Sequence, residues 1–124
     1  MSLQQKIIND CEKDTTKEIC GFVVNTESGL DIIPTENKSP NPENEFYIPA
    51  KEFLYMKKKN NLVGIYHSHL ESDAKPSEFD KKSADLTCFP FIIYSIKTNR
   101  FNIHVPEYSD TEMNLLENLK KELL

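Results

Sequence analysis

The stretch that decides the fold reads Gly64-Ile65-Tyr66-His67-Ser68-His69 and continues, after five residues, as Lys75-Pro76-Ser77-Glu78-Phe79-Asp80. Its first part belongs to an apolar run that predicts a buried strand over residues 62–69. The Pro-Ser pair predicts a helix from Pro76 to about Leu86. The connection over residues 70–75 is short enough to make the strand and the helix neighbours. The stretch therefore predicts a compact strand–loop–helix unit.

This unit brings four polar side chains together. Residues two apart on a strand project to the same face, so His67 and His69 point the same way. Residues three apart on a helix also share a face, so Ser77 and Asp80 project together. Two imidazoles and one carboxylate form the ligand set of an open zinc site, which leaves a fourth position for water. We therefore expect His67, His69 and Asp80 to bind a metal ion.

Other interpretations of the same residues stay open on spacing alone. The carboxylates of Glu71, Asp73 and Glu78 are near enough in sequence to replace Asp80 as the third ligand. Without a metal, Ser77 is a helix N-cap and Asp80 is a first-turn carboxylate favoured by the helix dipole. The two histidines would then be partly buried polar residues of a strand.

The rest of the chain alternates between helical and extended patterns. Helices are expected over residues 2–13 and 49–60 and after a cap at Ser109 or Asp110, and strands over 18–24, 30–34, 46–48, 89–96 and 100–105. Interleaved helices and strands, with hairpins near both ends, predict an α/β domain with a mixed sheet. The 124 residues are most simply one domain, spanning residues 1–124.

Composition excludes several classes of protein. A net charge of −5 offers no basic surface for nucleic acid or an anionic membrane. No stretch approaches the length of a membrane helix, and the N-terminus MSLQQKIINDCEKD lacks the apolar region of a signal peptide. A cytoplasmic location is therefore expected. Cys11, Cys20 and Cys88 are odd in number and widely spaced, which predicts neither disulfides nor a thiolate zinc site.

A water molecule activated by a metal needs a general base, and Glu18 is the best candidate by position. It begins the apolar run Glu18-Ile19-Cys20-Gly21-Phe22-Val23-Val24. Burial beside a metal would ready such a carboxylate to accept a proton. A solvent-facing strand end is the alternative interpretation, and spacing alone does not bring Glu18 to His67.

Together these residues resemble the JAMM motif of the MPN-domain metalloproteases. The motif comprises His67-x-His69, seven further residues, Ser77-x-x-Asp80, and an upstream Glu18 in an E-x-C-G context. Asn37, Pro42, Phe46 and Ile48-Pro49 resemble the bacterial and phage members of the family. The resemblance covers roughly residues 4–105.

The resemblance implies a fold, a cofactor and an activity. The fold is the cytidine-deaminase-like α/β sandwich, a mixed sheet flanked by helices. His67, His69 and Asp80 would bind Zn²⁺, Glu18 would act as general base and acid, and Ser77 would donate a hydrogen bond to the oxyanion. The activity would be that of a zinc-dependent peptidase or isopeptidase. The expected partner is a protein or peptide substrate, such as a ubiquitin-like protein or a phage tail-assembly protein.

The chain departs from the family pattern at two positions. Leu70 replaces the usual proline after the second histidine, and Lys75 replaces a small residue before Pro76. Both shape the loop over the site and leave the ligands intact. A non-catalytic MPN scaffold module that retains a zinc site is the alternative function, although such modules typically lose part of the ligand set. A role in DNA repair is disfavoured by the acidic charge.

Overall fold

The structure, a computed structural model, describes residues 1–124 and is built on a five-stranded mixed sheet with four helices. The strands are β1 (Cys20–Thr26), β2 (Gly29–Thr35), β3 (Leu62–His69), β4 (Phe91–Ser95) and β5 (Phe101–His104). The helices are α1 (Leu3–Cys11), α2 (Ala50–Lys59), α3 (Glu78–Thr87) and α4 (Met113–Leu123). The strand order is β2-β1-β3-β4-β5. Only β3 and β4 run parallel, which confirms the predicted α/β class with a mixed sheet.

The central strand is β3, and all eight of its residues are buried. Parallel pairing with β4 and antiparallel pairing with β1 cover both of its edges. A strand that is buried on both faces reads as a continuous apolar run rather than an alternating one, which explains the sequence from Leu62 to Tyr66. The sheet separates two apolar clusters, one beside α1 and α4 and the other beneath α2 and α3.

Gly21 of the E-x-C-G segment and Tyr66, the residue before His67, lie opposite each other on β1 and β3. A Cβ atom added to Gly21 would overlap the Tyr66 hydroxyl and ring, so only glycine admits the tyrosine at this position. The Tyr66 hydroxyl donates a 2.5 Å hydrogen bond to the buried carboxylate of Asp10. This contact ties α1 to the strand that carries the histidines.

The strand expected over residues 46–48 is wrong. This segment is irregular, and it makes a single backbone–backbone bond to the preceding loop, from the Lys38 N–H to the Tyr47 carbonyl at 3.0 Å. The apolar side chain of Phe46 is buried against β3 and β4 instead. Phe46 is therefore apolar because it packs against the sheet, although it does not belong to a strand.

The expected cap of the last helix is also wrong. Helix α4 begins at Met113 after Glu112, which makes no side-chain capping bond. The Ser109 hydroxyl instead accepts the Thr111 N–H at 3.2 Å in the preceding turn. None of the four helices has the length and apolar character needed to cross a bilayer. The three cysteines are unpaired, in agreement with the sequence.

Candidate metal centre

The end of β3 and the first turn of α3 bring two imidazoles and a carboxylate together. Nε2 of His67 lies 3.0 Å from Oδ1 of Asp80, and Nε2 of His69 lies 3.0 Å from Oδ2. The two Nε2 atoms are 3.3 Å apart. All three residues are buried, and they form the one His/Cys/Asp/Glu group in the chain that could hold a metal ion.

The ligand atoms are close enough together for one ion. One atom from each of the three residues can be chosen so that all lie within 4.8 Å of one another. The 3.3 Å between the two Nε2 atoms equals the separation of about 3.3 Å that zinc bonds of about 2.0–2.1 Å give neighbouring ligands in a tetrahedron. The two 3.0 Å contacts reach different oxygens of Asp80, so either oxygen could serve as the third ligand atom. The residues present therefore fit a metal ion such as Zn²⁺.

The tautomer of His69 supports the same conclusion. Its Nδ1 lies 2.9 Å from the carbonyl oxygen of Asp73, and a carbonyl only accepts, so Nδ1 carries the proton. In the neutral ring, Nε2 then presents a lone pair toward Asp80. A lone pair facing a carboxylate at 3.0 Å needs a proton or a cation between them. Hydrogen bonding to Asp80 and to the Asp73 carbonyl outweighs burial and raises the pKa of His69.

His67 is held by apolar contacts. It is fully buried, and Phe46 stacks on its imidazole with 4.4 Å between ring centroids. Phe91 packs edge-on against it at 5.8 Å. Burial lowers the pKa of His67 despite the nearby Asp80, which favours the neutral ring that metals require. Its Nδ1 is buried without a partner, so the ring makes its polar contacts through Nε2.

Asp80 is oriented by the capping box at the start of α3. The Ser77 N–H donates to Oδ2 of Asp80 at 2.9 Å, and the Asp80 N–H donates to Oγ of Ser77 at 3.0 Å. Burial opposes ionisation of Asp80, but hydrogen bonds from His67 and His69 outweigh it and bring the pKa of the carboxyl below its usual range. Ser77 and Asp80 can therefore cap α3 and, at the same time, hold the charged Asp80 carboxylate toward the histidines.

The alternative carboxylates are directed elsewhere. The Asp73 side chain accepts from the Ala74 N–H and the Thr98 hydroxyl. The Glu78 carboxylate faces Lys81 at 3.6 Å. Glu71 is exposed and does not belong to the group that could hold a metal. Of the four acidic residues considered from sequence, only Asp80 lies with the histidines.

Glu18 lies in the same cleft, about 220 Å³ in volume, as His69, Ser77 and Asp80. Cys20 pairs with His67 in the antiparallel register, and continuing that register places Glu18 opposite His69. Only 7% of Glu18 is exposed, so the interpretation as a solvent-facing strand end is wrong. Burial raises the pKa of Glu18 to about 8; the charge of His69 lowers it, and Asp80 raises it further.

Two residues that sequence reasoning did not single out as part of the site hold the backbone of this segment. Oγ of Ser68 accepts the Ile19 N–H at 2.8 Å, and the Ser68 N–H donates to the Ile19 carbonyl at 2.9 Å. The Asn37 amide donates to the carbonyls of Glu18 and Glu45 at 2.9 and 3.0 Å. The sequence did contain a signal for Ser68. It lies between two histidines that share one face of β3, so its side chain must project from the opposite face.

A second network, also missed from sequence, holds the loop after β3. Oγ of Ser95 donates to the Ser72 carbonyl at 2.7 Å and accepts the Thr98 N–H at 3.1 Å. The Thr98 hydroxyl donates to the Asp73 carboxylate at 2.9 Å. Since the Asp73 carbonyl accepts the His69 Nδ1 proton, the turn after β4 fixes the loop that orients His69.

Comparison with known proteins agrees with this geometry. A family model described as "Prokaryotic homologs of the JAB domain" matches residues 1–108. The chain belongs to this family. The match confirms the resemblance noted from the motif.

Relatives and solved structures extend the comparison. The "Tail tip assembly protein K" of Escherichia phage N15 is 30% identical over 79 residues, which cover 64% of this chain and 32% of that protein. The chain thus spans about a third of the length of this curated relative. A Desulfitobacterium hafniense protein has a TM-score of 0.61 at 18% identity, with 91% of this chain and 93% of that chain covered. A JAB1/MPN domain protein from Archaeoglobus fulgidus has a TM-score of 0.54 at 14% identity, covering 90% and 91%. These two likenesses confirm the fold.

Proposed function

We propose that this protein is a zinc-dependent peptidase or isopeptidase. The observation that carries the proposal is the buried group of His67, His69 and Asp80, whose ligand atoms lie within 4.8 Å of one another beside the buried carboxylate of Glu18. Two imidazoles and one carboxylate with an open fourth position are typical of catalytic rather than structural zinc sites. Membership of the JAB family supports the same assignment.

Zinc held by His67, His69 and Asp80 would lower the pKa of a water molecule to about 7 and polarise the scissile carbonyl. Glu18 would accept the proton of that water and return it to the leaving amine. Its buried position in the cleft suits this role, because a base works best when its pKa lies near the operating pH.

Ser77 would stabilise the oxyanion. Its Oγ accepts the Asp80 N–H, which leaves the hydroxyl proton available for another acceptor. Ser77 lines the cleft with Glu18 and His69, so its proton is available on the side where substrate would bind. A donor positioned in advance stabilises charge in the transition state without reorganisation.

Similarity to a tail tip assembly protein supports a protein substrate or partner, and a ubiquitin-like protein is the other candidate. The same similarity favours one alternative, a non-catalytic assembly module that keeps the zinc site. A peptidase needs Glu18 for cleavage, whereas a non-catalytic assembly module needs it at most for folding.

The test combines metal analysis with cleavage. Wild-type protein and Glu18→Gln are purified, loaded with zinc, and incubated with a peptide library prepared from a bacterial proteome and with ubiquitin-like proteins extended at the C-terminus. The peptidase proposal expects about one zinc per chain in both proteins and cleavage by wild type alone. Zinc in both without cleavage in either, together with recovery in a larger assembly, would favour the assembly module.

A further inference from the structure

An apolar cavity adjoins the cleft that contains Glu18. It has a volume of about 430 Å³ and lies between the segment before α2 and one side of α3. Its walls include Phe46, Tyr47, Phe53, Phe79, Ser83 and Leu86. Of its 11 lining residues 9 are hydrophobic, whereas only one of the eight residues around the Glu18 cleft is. The volume lies in the range of about 300–1,000 Å³ that is usual for ligand pockets.

Phe79 joins the two spaces. Its side chain lines both the apolar cavity and the polar cleft, and it directly precedes Asp80 in the first turn of α3. On the other side, Phe46 lines the cavity and stacks on His67. The rings of Phe46 and Phe79 meet edge to face at 6.4 Å. The apolar cavity therefore begins one side chain away from the proposed metal ligands.

Three large apolar side chains of this cavity face solvent. Tyr47 is 52% exposed, Phe79 45% and Leu86 85%. Contiguous exposed apolar surface beside a polar site marks a binding surface. An occupant that enters both spaces needs a polar backbone for the cleft and an apolar side chain for the cavity, and an extended peptide has both.

We propose that this cavity binds a large aliphatic or aromatic side chain of the substrate, from a residue within about three positions of the scissile bond, since an extended chain advances about 3.3 Å per residue. The inference rests on the proposed peptidase function and names the substrate class of the same site. Specificity would then come from one buried apolar side chain, and the polar cleft would accept the main chain on either side of the cut.

The test blocks the cavity without touching the ligands. Ser83, a small lining residue of α3, is replaced in Ser83→Trp to fill the space, and Leu86→Lys places a charge at its exposed rim. Asp85→Trp is the matched control, since Asp85 is an exposed residue of the same helix outside the cavity. Thermal melting and zinc content verify that each variant is folded and loaded.

Cleavage sites in the peptide library, aligned on the cut bond, are expected to show one position enriched in large apolar residues. On a synthetic peptide with Leu at that position, Ser83→Trp and Leu86→Lys should lower kcat/KM about tenfold to hundredfold, whereas Asp85→Trp should not. With Ala at that position, all proteins should cleave equally slowly. Cleavage that depends on Glu18 but shows no apolar preference would overturn the cavity proposal and leave the peptidase function intact.

Binding provides a readout that does not need cleavage. Immobilised, zinc-loaded Glu18→Gln protein is expected to retain library peptides that are enriched in large apolar residues. The double variant Glu18→Gln, Ser83→Trp should show no such enrichment. If wild type cleaves nothing, the peptidase proposal fails and with it the position relative to a scissile bond, whereas enrichment would still show that the cavity binds a large apolar side chain of a peptide. Absence of enrichment, or wild-type dimers that Ser83→Trp converts to monomers without any peptide preference, would overturn it.

Discussion

The ring of Phe46 stacks on the imidazole of His67 with 4.4 Å between centroids and 26° between planes. Phe46 comes from an irregular segment that crosses the site, and Phe91 of β4 contacts the same imidazole edge-on. The two aromatic rings exclude water from His67 and hold its Nε2 toward Asp80. An imidazole that is neutral and held in one orientation is a good metal ligand.

The first prediction concerns the ligands. His69→Ala and Asp80→Asn each remove one member of the buried group, and we expect both to lose stoichiometric zinc, because three protein ligands are the minimum of an open site. His104→Ala is the matched control, since His104 lies on β5 outside that group. Metal content after dialysis against a weak chelator measures the effect. Full zinc retention by both ligand variants would contradict the assignment.

The second prediction concerns the loop that orients His69. Thr98→Val removes the hydroxyl bonded to Asp73, whose carbonyl accepts the His69 Nδ1 proton. Loss of such outer contacts typically lowers metal affinity about tenfold to hundredfold, and we expect the lower end here because the link is indirect. Thr26→Val removes a similar turn hydroxyl, bonded to the Gly29 carbonyl far from the site, and should leave zinc affinity unchanged. Competition with a chromogenic chelator measures both; equal affinities in the two variants would exclude the positioning role.

The main sheet and the grouping of His67, His69 and Asp80 could be predicted from sequence because local rules govern them. The apolar run before His67 is long enough to identify a buried strand, and strand alternation puts His67 and His69 on one face. The capping pattern Ser77-x-x-Asp80 identifies the start of α3, and the short loop makes β3 and α3 neighbours.

Two features depend on contacts between distant parts of the chain, so local patterns could not predict them, and only the family resemblance implied that Glu18 belongs to the site. The position of Glu18 is set by pairing of β1 with β3, and no local pattern encodes that register. The segment around Phe46 is shaped by one side chain, Asn37, which bonds the backbone of Glu18, Ser39, Glu45 and Tyr47. An apolar triplet such as 46–48 looks like a strand when these bonds are unknown.

A third prediction tests the contact that ties α1 to β3. Tyr66→Phe removes the 2.5 Å bond to Asp10 and leaves the buried carboxylate with Lys13, 3.6 Å away, as its remaining charged contact. We expect the free energy of unfolding to fall by about 1.5–3 kcal/mol, as for other buried bonds to charged groups. Tyr108→Phe, at a residue that is 76% exposed, should change it by less than about 0.5 kcal/mol. Denaturant unfolding measures both, and equal effects would show that the buried bond contributes little.

A fourth prediction concerns pH. Burial raises the pKa of Glu18 from 4.5 to about 8, so the folded metal-free protein keeps this proton in a pH range where the unfolded chain has released it. The contribution of Glu18 to stability is therefore full below pH 4.5 and is lost as the pH rises through about 8. Glu18→Gln does not titrate, so its stability relative to wild type should rise by up to about 5 kcal/mol across this window. Unfolding of both metal-free proteins at several pH values measures the difference, and a constant difference would rule out a buried, protonated Glu18.

In the proposed mechanism Glu18 works with a metal held by His67, His69 and Asp80, and a comparison of Glu18→Gln with wild type separates these two contributions. Both proteins are loaded with zinc, assayed for metal content, and then incubated with the same peptide and ubiquitin-like substrates. The proposed mechanism predicts about one zinc per chain in each protein and cleavage by wild type alone, because only the proton acceptor has been removed. An equal rate of cleavage by Glu18→Gln, or zinc-free wild-type protein that still cleaves, would contradict it.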